Sequence, residues 1–255
     1  MVRRPSAVLS RFRLGPVTLA FAVPCAAQAY FLCAPWLPAL AAGDETVLVA
    51  GSLGVLLIAI TALALLPARE TVIGPLLIIL GSGLLVAALN IDADAGVGAG
   101  ANVVEALLAG SFGLILARLF ATPMSAVAVP LLVAAIDVAS VWNGPTARML
   151  ETAAARVDPL SFDLPAWGDE GSAGHLGLSD AVFLSMFAAW SERYGFRRRL
   201  TLLGMVLGLA GTPALSVALD ESIPALPLIV AGYLLPNLDR IGRLLGHPRP
   251  GADNT

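Results

Sequence analysis

Charged residues are scarce in this chain: they make up 13% of its 255 positions, about half the share that is usual in a soluble domain. Apolar residues make up 58% and fall in long blocks, which is typical of segments that cross a lipid bilayer. The formal net charge of −3 gives no indication of nucleic-acid binding. The composition therefore predicts an integral membrane protein with the lipid bilayer as its surroundings and no nucleic-acid partner.

Lysine is absent from the chain, and cysteine occurs at only two positions. On a helix, the separation of eight positions from Cys25 to Cys33 corresponds to about 12 Å along the axis, which is too far for a disulfide bond. Their spacing also fits no zinc site. The sequence therefore predicts two buried free thiols, no metal ion and no cofactor.

The predicted fold class is all-α, a polytopic bundle of about eight and at most nine transmembrane helices. The eight apolar segments cover residues 16–41, 46–67, 71–89, 101–120, 123–142, 176–191, 200–219 and 223–238. A polar stretch, residues 143–175, separates the fifth segment from the sixth. This divides the chain into N-terminal helices (1–122), a region that carries two Asp-bearing helices (123–238) and a short tail (239–255).

The placement of arginine orients these segments, because cytoplasmic loops are enriched in Lys and Arg. Of fifteen basic residues, only Arg148 and Arg156 fall on the side away from the N-terminus if every segment crosses. We therefore expect a multi-pass protein of the plasma membrane with both termini in the cytoplasm. The opening of the chain, with Ala27-Gln28-Ala29, also fits a cleavable signal peptide, but the apolar run continues to Leu40, which favours a span.

Three carboxylic acids lie within the predicted spans. A charge at the centre of a span costs about 2.5–3.5 kcal/mol on insertion scales, so the presence of each acid requires a structural or functional explanation. Glu105 lies near the start of its segment and is expected to reach the membrane interface. Asp137 and Asp180 lie about 7 Å and about 6 Å from the outer ends of two consecutive spans. The spacing therefore predicts two carboxyl groups at one depth near the outer face.

Such a pair of carboxyl groups supports more than one function. Two carboxyl groups that lie close together in a low dielectric share a proton. The ionised member can then take a proton from water while the protonated member polarises a peptide carbonyl, which is the chemistry of aspartyl proteases. Paired acids also form proton or cation relays, and a single Asp can simply hydrogen-bond to a neighbouring helix. The acids alone leave these three explanations open.

The chain contains Gly177-Leu178-Ser179-Asp180, the stretch NGPTARMLETAAAR and Pro224-Ala225-Leu226. These three segments resemble motifs of the presenilin/signal peptide peptidase family of intramembrane aspartyl proteases. Gly177-Leu178-Ser179-Asp180 resembles the family's Gly-x-Gly-Asp signature. The stretch NGPTARMLETAAAR, residues 143–156, resembles the presenilin segment that follows the first catalytic aspartate. Pro224-Ala225-Leu226 resembles the Pro-Ala-Leu motif at the start of the last span. The segments occur in the family's order and span about residues 125–238.

The resemblance implies a presenilin-like helical bundle whose catalytic residues are Asp137 and Asp180, with no metal ion. It implies a substrate-binding set of Gly177, Leu178, Ser179, Pro224, Ala225 and Leu226. The implied substrates are transmembrane or signal-peptide helices. Proline removes backbone donors, and we expect the last motif to leave nearby polar groups free to pair with an unwound substrate. A second triplet, Pro213-Ala214-Leu215, lies in mid-span and is interpreted as a chance occurrence.

Two positions depart from the family's pattern: Ser179 stands where the second Gly is expected, and Ile136 stands where the family usually has Tyr. A catalytically inactive scaffold therefore remains an alternative. A peptidase of the prepilin type also uses a Gly-x-Gly-Asp-like site, but its second acid is usually followed closely by Lys, which this chain lacks. A proton-coupled transporter or channel would use the same acids, together with polar residues along a path across the membrane. The sequence specifies no oligomeric state.

Overall fold

The computed structural model of the protein describes residues 16–39, 49, 53, 98–143, 161–168, 172–219, 221 and 223–246. These residues are mostly helical, as the apolar blocks predict. Within these described ranges, three helices are long and apolar enough to cross a membrane, over Asn102–Leu119, Ser125–Trp142 and Arg198–Ser216. The predicted spans 46–67 and 71–89 lie outside the described residues except at positions 49 and 53.

Seven α-helices and one β-hairpin make up the described part of the chain. In chain order the helices are α1 (Pro16–Cys33), α2 (Gly98–Leu119), α3 (Ser125–Asn143), α4 (Leu178–Arg193), α5 (Arg198–Leu219), α6 (Ala225–Leu234) and α7 (Leu238–Gly246). Between α3 and α4, strand β1 (Ser161–Pro165) pairs antiparallel with β2 (Ser172–Gly177). Short 3-10 turns follow α1 at Ala34–Trp36 and α6 at Leu235–Asn237.

Several boundaries differ from the predicted spans. Helix α1 ends at Cys33 rather than at residue 41, because the backbone of Pro35 has no N–H with which to continue the helix. The polar stretch 143–175 contains most of the hairpin, so the fold is not purely α-helical, and the following helix begins only at Leu178. The segment predicted as a short tail begins with α7, which runs to Gly246.

Both cysteines lie on α1 or at its end, and both are free thiols. They are exposed, so the prediction that they are buried is wrong. The packed side of α1 instead carries Ala27 and Phe31, which are four residues apart and fully buried or nearly so. That side of the helix packs against α2.

Helices α2 and α4 pack side by side and run in the same direction. The indole Nε1 of Trp190 donates a buried hydrogen bond of 3.0 Å to the carbonyl oxygen of Ala117. Four residues earlier on α2, Gly113 lies so close to α4 that a Cβ atom there would overlap the carbonyl oxygen of Val182. Gly113 lies beside Val182, and Ala117, further along α2, lies beside Trp190, further along α4. The two helices are therefore parallel, and their N-terminal ends lie at the same end of the bundle.

Helices α5 and α6 pack in opposite directions through small residues. Gly204 and Gly208 fit the small-xxx-small pattern that lets two helices approach closely. Gly204 contacts Gly232, and Gly208 contacts the backbone of Leu228, so the pattern does mark a packing face. The opposite chain directions place the start of α6 beside the C-terminal half of α5.

The C-terminal end of α6 is fixed by polar and aromatic contacts. Asn237 donates to the Thr201 hydroxyl (2.7 Å) and to the Tyr233 carbonyl (2.8 Å), and it accepts the backbone N–H of Arg197 (2.8 Å). The ring of Tyr233 stacks on that of Phe187 from α4, with 5.0 Å between ring centroids. Because α6 is held against both α4 and α5, its N-terminus has a defined position relative to the start of α4.

Candidate active site

Asp137 lies near the C-terminal end of α3 and is half-buried. Its Oδ2 accepts a hydrogen bond of 3.0 Å from the backbone N–H of Leu226, the second residue of α6. The first N–H groups of a helix have no acceptor within the helix, and they carry the positive end of the helix dipole. The carboxyl group of Asp137 therefore caps α6 from a helix that is 89 residues away in sequence.

Two prolines narrow the choice of donors at this helix terminus. Pro224 occupies the N-cap position with extended backbone angles, φ −65° and ψ 135°, and Pro227 is the third residue of α6. Neither proline has an N–H, so Ala225 and Leu226 carry the remaining donors of the first turn. Of these two N–H groups, that of Leu226 binds Asp137. It is therefore already in use, in contrast to the expectation that this motif leaves its polar groups free for a substrate.

Asp180 is the third residue of α4, and its side chain is 8% exposed. Its carboxyl group interacts electrostatically with that of Asp137. Helices α3, α4 and α6 contact one another, and the two acids lie on either side of the junction between the end of α3 and the starts of α4 and α6. The structure thus brings together Asp137, Asp180 and the Pro-Ala-Leu segment.

The residues before Asp180 differ in their surroundings. Gly177 is both the last residue of β2 and the N-cap of α4. A Cβ atom at this position would lie 3.5 Å from Oδ2 of Asp180 and 3.3 Å from the Ser179 hydroxyl. Ser179 is exposed, and Leu178 is half-buried. A methyl group at position 177 would therefore make an ordinary van der Waals contact with the acid and a slightly tight one with the Ser179 hydroxyl, whose exposed side chain can rotate.

We expect Gly177→Ala to retain most of any activity that depends on Asp180, because the added Cβ lies at van der Waals distance from Oδ2 of Asp180, 3.5 Å, and the exposed Ser179 hydroxyl at 3.3 Å can rotate away. Alanine adopts the extended backbone of Gly177 (φ −62°, ψ 134°) without strain, so the melting temperature should change little. Gly211→Ala is the matched control, because no atom lies within 4 Å of its added Cβ. A loss of about tenfold or more in Gly177→Ala alone would contradict this account, because it would mean that the methyl group displaces the acid.

The other sequence-derived candidates occupy different surroundings. Glu105 is 7% exposed and lies one turn from the fully buried Asn102 on α2, against which α1 and β1 both pack. Its carboxyl group is therefore enclosed by protein, and its position at the membrane interface stays a prediction. Ile136 is 58% exposed, so its side chain extends away from the site. Residues 144–156, which carry the second part of the resemblance, lie outside the described residues.

The two Pro-Ala-Leu triplets are distinguished by their burial. Ala214 and Leu215 are exposed on α5, whereas Pro224 and Leu226 are buried at the start of α6.

Across the described ranges, no group of three or more His, Cys, Asp or Glu side chains is arranged to hold a metal ion.

Sequence reasoning did not predict the hairpin that leads into α4. Its signal was the alternation of Phe162 and Leu164 with polar neighbours inside the polar stretch, since alternation predicts a half-buried strand. Both side chains are fully buried or nearly so.

Comparisons of the chain with protein-family models, with curated proteins and with solved structures find no significant match. A function for this site is therefore inferred from its residues and their geometry.

Proposed function

We propose that the protein is an intramembrane aspartyl protease, a multi-pass protein of the plasma membrane with both termini in the cytoplasm and the Asp137/Asp180 pair near the outer face. The hydrogen bond from Leu226 to Asp137 is the observation that supports this most strongly. It joins the segment that resembles the Pro-Ala-Leu motif to a carboxyl group that interacts with the second acid. A lone structural Asp would need the hydrogen bond but no second acid nearby.

The two acids have different partners, and this supports a division of roles. A backbone donor at a helix N-terminus favours the ionised form of the carboxyl group that it binds. Asp137 is therefore the member that takes a proton from water. Asp180 carries the shared proton and donates it to the oxygen of the scissile carbonyl.

The reaction follows from these roles. The water oxygen bonds to the carbonyl carbon as Asp137 accepts a water proton and Asp180 protonates the carbonyl oxygen. The resulting gem-diol breaks its C–N bond as Asp137 returns its proton to the leaving nitrogen. Asp180 recovers its proton from a hydroxyl group of the gem-diol, which leaves the new carboxylic acid and restores the pair. The rate should fall at low pH, where both acids are protonated, and at high pH, where both are ionised.

The substrates that fit this site are transmembrane or signal-peptide helices. Such a helix must unwind to expose a carbonyl group, and its backbone then needs hydrogen-bond partners inside the membrane. Strand β2 runs directly into the helix of Asp180 and, among the described residues, pairs with β1 alone. Its other edge is therefore suited to pairing with an extended substrate segment.

We expect the purified protein in lipid nanodiscs to cleave labelled single-span peptides within their apolar segment. Mass spectrometry of the products identifies the cleaved bond and separates this activity from that of a contaminating soluble protease, which would cut the exposed ends. A tetrahedral hydroxyl isostere of the scissile bond should inhibit, because it resembles the transition state.

Absence of cleavage by folded protein across several such peptides would contradict the proposal. Proton uptake into liposomes that requires both acids would then favour the transporter alternative. Absence of both activities would favour a catalytically inactive scaffold.

A further inference from the structure

The turn of the β-hairpin is attached to the C-terminal end of α1. The indole Nε1 of Trp167 donates a hydrogen bond of 3.2 Å to the hydroxyl of Tyr30. The next residue, Gly168, donates its backbone N–H to the carbonyl oxygen of Ala34 at 3.4 Å. The partners in the first bond are 137 residues apart in sequence, so this attachment is a tertiary contact between the first helix and the hairpin.

Glycine is required at this attachment for two separate reasons. Gly168 has a φ of +72°, which lies in the left-handed region that L side chains rarely adopt. A Cβ atom there would also lie 2.7 Å from the backbone nitrogen of Ala39. The turn therefore contacts the segment after α1 through its backbone, and a side chain at position 168 would separate the two.

A continuous path leads from this attachment to Asp180. Phe162 on β1 is opposite Leu176 on β2, and all three side chains of Phe162, Leu164 and Leu176 are buried. Gly177, at the end of β2, is the N-cap of α4, and Asp180 follows three residues later. Strand β1 is paired with β2, and β2 runs into α4 with no intervening loop, so a displacement at Trp167 and Gly168 is transmitted through β1 to β2 and the first turn of α4.

We propose that Tyr30 and Trp167 are positioning residues for the Asp137/Asp180 site, acting as a clasp between α1 and the hairpin that holds the start of α4 in place. The predicted effect on catalysis depends on the proposed protease function. The predicted effect on the mobility of the hairpin does not depend on it.

Two conservative variants remove the hydrogen bond from either side. Tyr30→Phe deletes the acceptor but keeps the ring, which packs 5.5 Å from that of Phe31, and Trp167→Phe deletes the donor. Trp36→Phe is the matched control, since Trp36 lies beside the clasp but is 85% exposed. The first readout is amide hydrogen exchange in nanodiscs, which is measurable without a substrate.

We expect exchange in residues 161–168, 172–177 and 178–181 to become about fivefold faster in Tyr30→Phe and in Trp167→Phe, the effect of losing one hydrogen bond of ordinary strength. Exchange in α5 and α6 should be unchanged. The double variant should match Tyr30→Phe, because that variant already lacks the bond to Trp167. In the cleavage assay kcat should fall by about fivefold with KM nearly unchanged, because a displaced carboxyl group affects the chemical step more than binding.

The outcomes separate the two proposals. Hairpin exchange equal to that of Trp36→Phe would overturn the clasp. Faster hairpin exchange with an unchanged kcat, in a protein whose wild type cleaves, would overturn the positioning role. If the wild type cleaves nothing, the proposed function fails, and exchange in residues 178–181 alone decides whether the clasp holds the start of α4.

Discussion

Asp180→Asn should lower the rate of transmembrane-peptide cleavage by about 10⁴-fold, at the upper end of what a positioned acid or base contributes. Asparagine has nearly the same shape but carries no proton to give to the carbonyl oxygen of the substrate. It is also uncharged, so it removes the cost of placing an ionisable group where only 8% of the side chain is exposed. The fold should therefore remain, and single-turnover kinetics on folded protein would measure the loss.

Asp137→Asn should cause a comparable loss for a different reason. The amide oxygen of asparagine can still accept the N–H of Leu226, so the cap on α6 is kept, but an amide cannot take a proton from water. A variant that keeps the contact and loses the rate would separate the chemical role of Asp137 from its structural one. Full activity in either variant would refute the dyad.

Glu105→Gln supplies the control for these substitutions. Glu105 is also a buried carboxylic acid, with 7% of its surface exposed, but it lies on α2 and has no role in the proposed reaction. Its replacement should leave most of the cleavage rate. A loss as large as that of the two aspartate variants would mean that the assay responds to any buried acid, which would refute the specific assignment.

Gly232→Ala should be strongly destabilising, because the added Cβ would overlap the carbonyl group of Gly204 on the facing helix. The obstacle is backbone, which cannot rotate away as a side chain can, so α5 and α6 must separate. We expect a loss of about 3 kcal/mol, the upper part of the range for overpacking. Cleavage should fall as well, since α6 carries the Leu226 N–H that binds Asp137.

Gly211→Ala is the matched control for this prediction, because it adds the same methyl group to α5 where no atom lies within 4 Å. Alanine is the better helix former, so this variant should be as stable as the wild type or more stable by up to about 1 kcal/mol. Thermal unfolding of the two variants in the same detergent measures the difference. Equal melting temperatures would show that the close α5–α6 contact is absent in solution.

The sequence by itself determined the class of the protein and the residues on which a function can be based. Long apolar blocks and few charges predict membrane-spanning helices, because unpaired charges are costly in lipid. For the same reason two aspartates inside such blocks, Asp137 and Asp180, are informative without any structure. The small-residue pattern at Gly204 and Gly208 likewise predicts close helix packing, because it depends only on local spacing.

The tertiary structure alone decided how these residues are connected. The Leu226 N–H that holds Asp137 and the Trp167–Tyr30 bond that attaches the hairpin join positions 89 and 137 residues apart. Glu105 is buried on α2, a helix against which α1, β1 and α4 all pack. No local pattern records such contacts, because a hydrogen-bond partner or a covering element is chosen by the packing of whole helices and not by neighbours in the sequence.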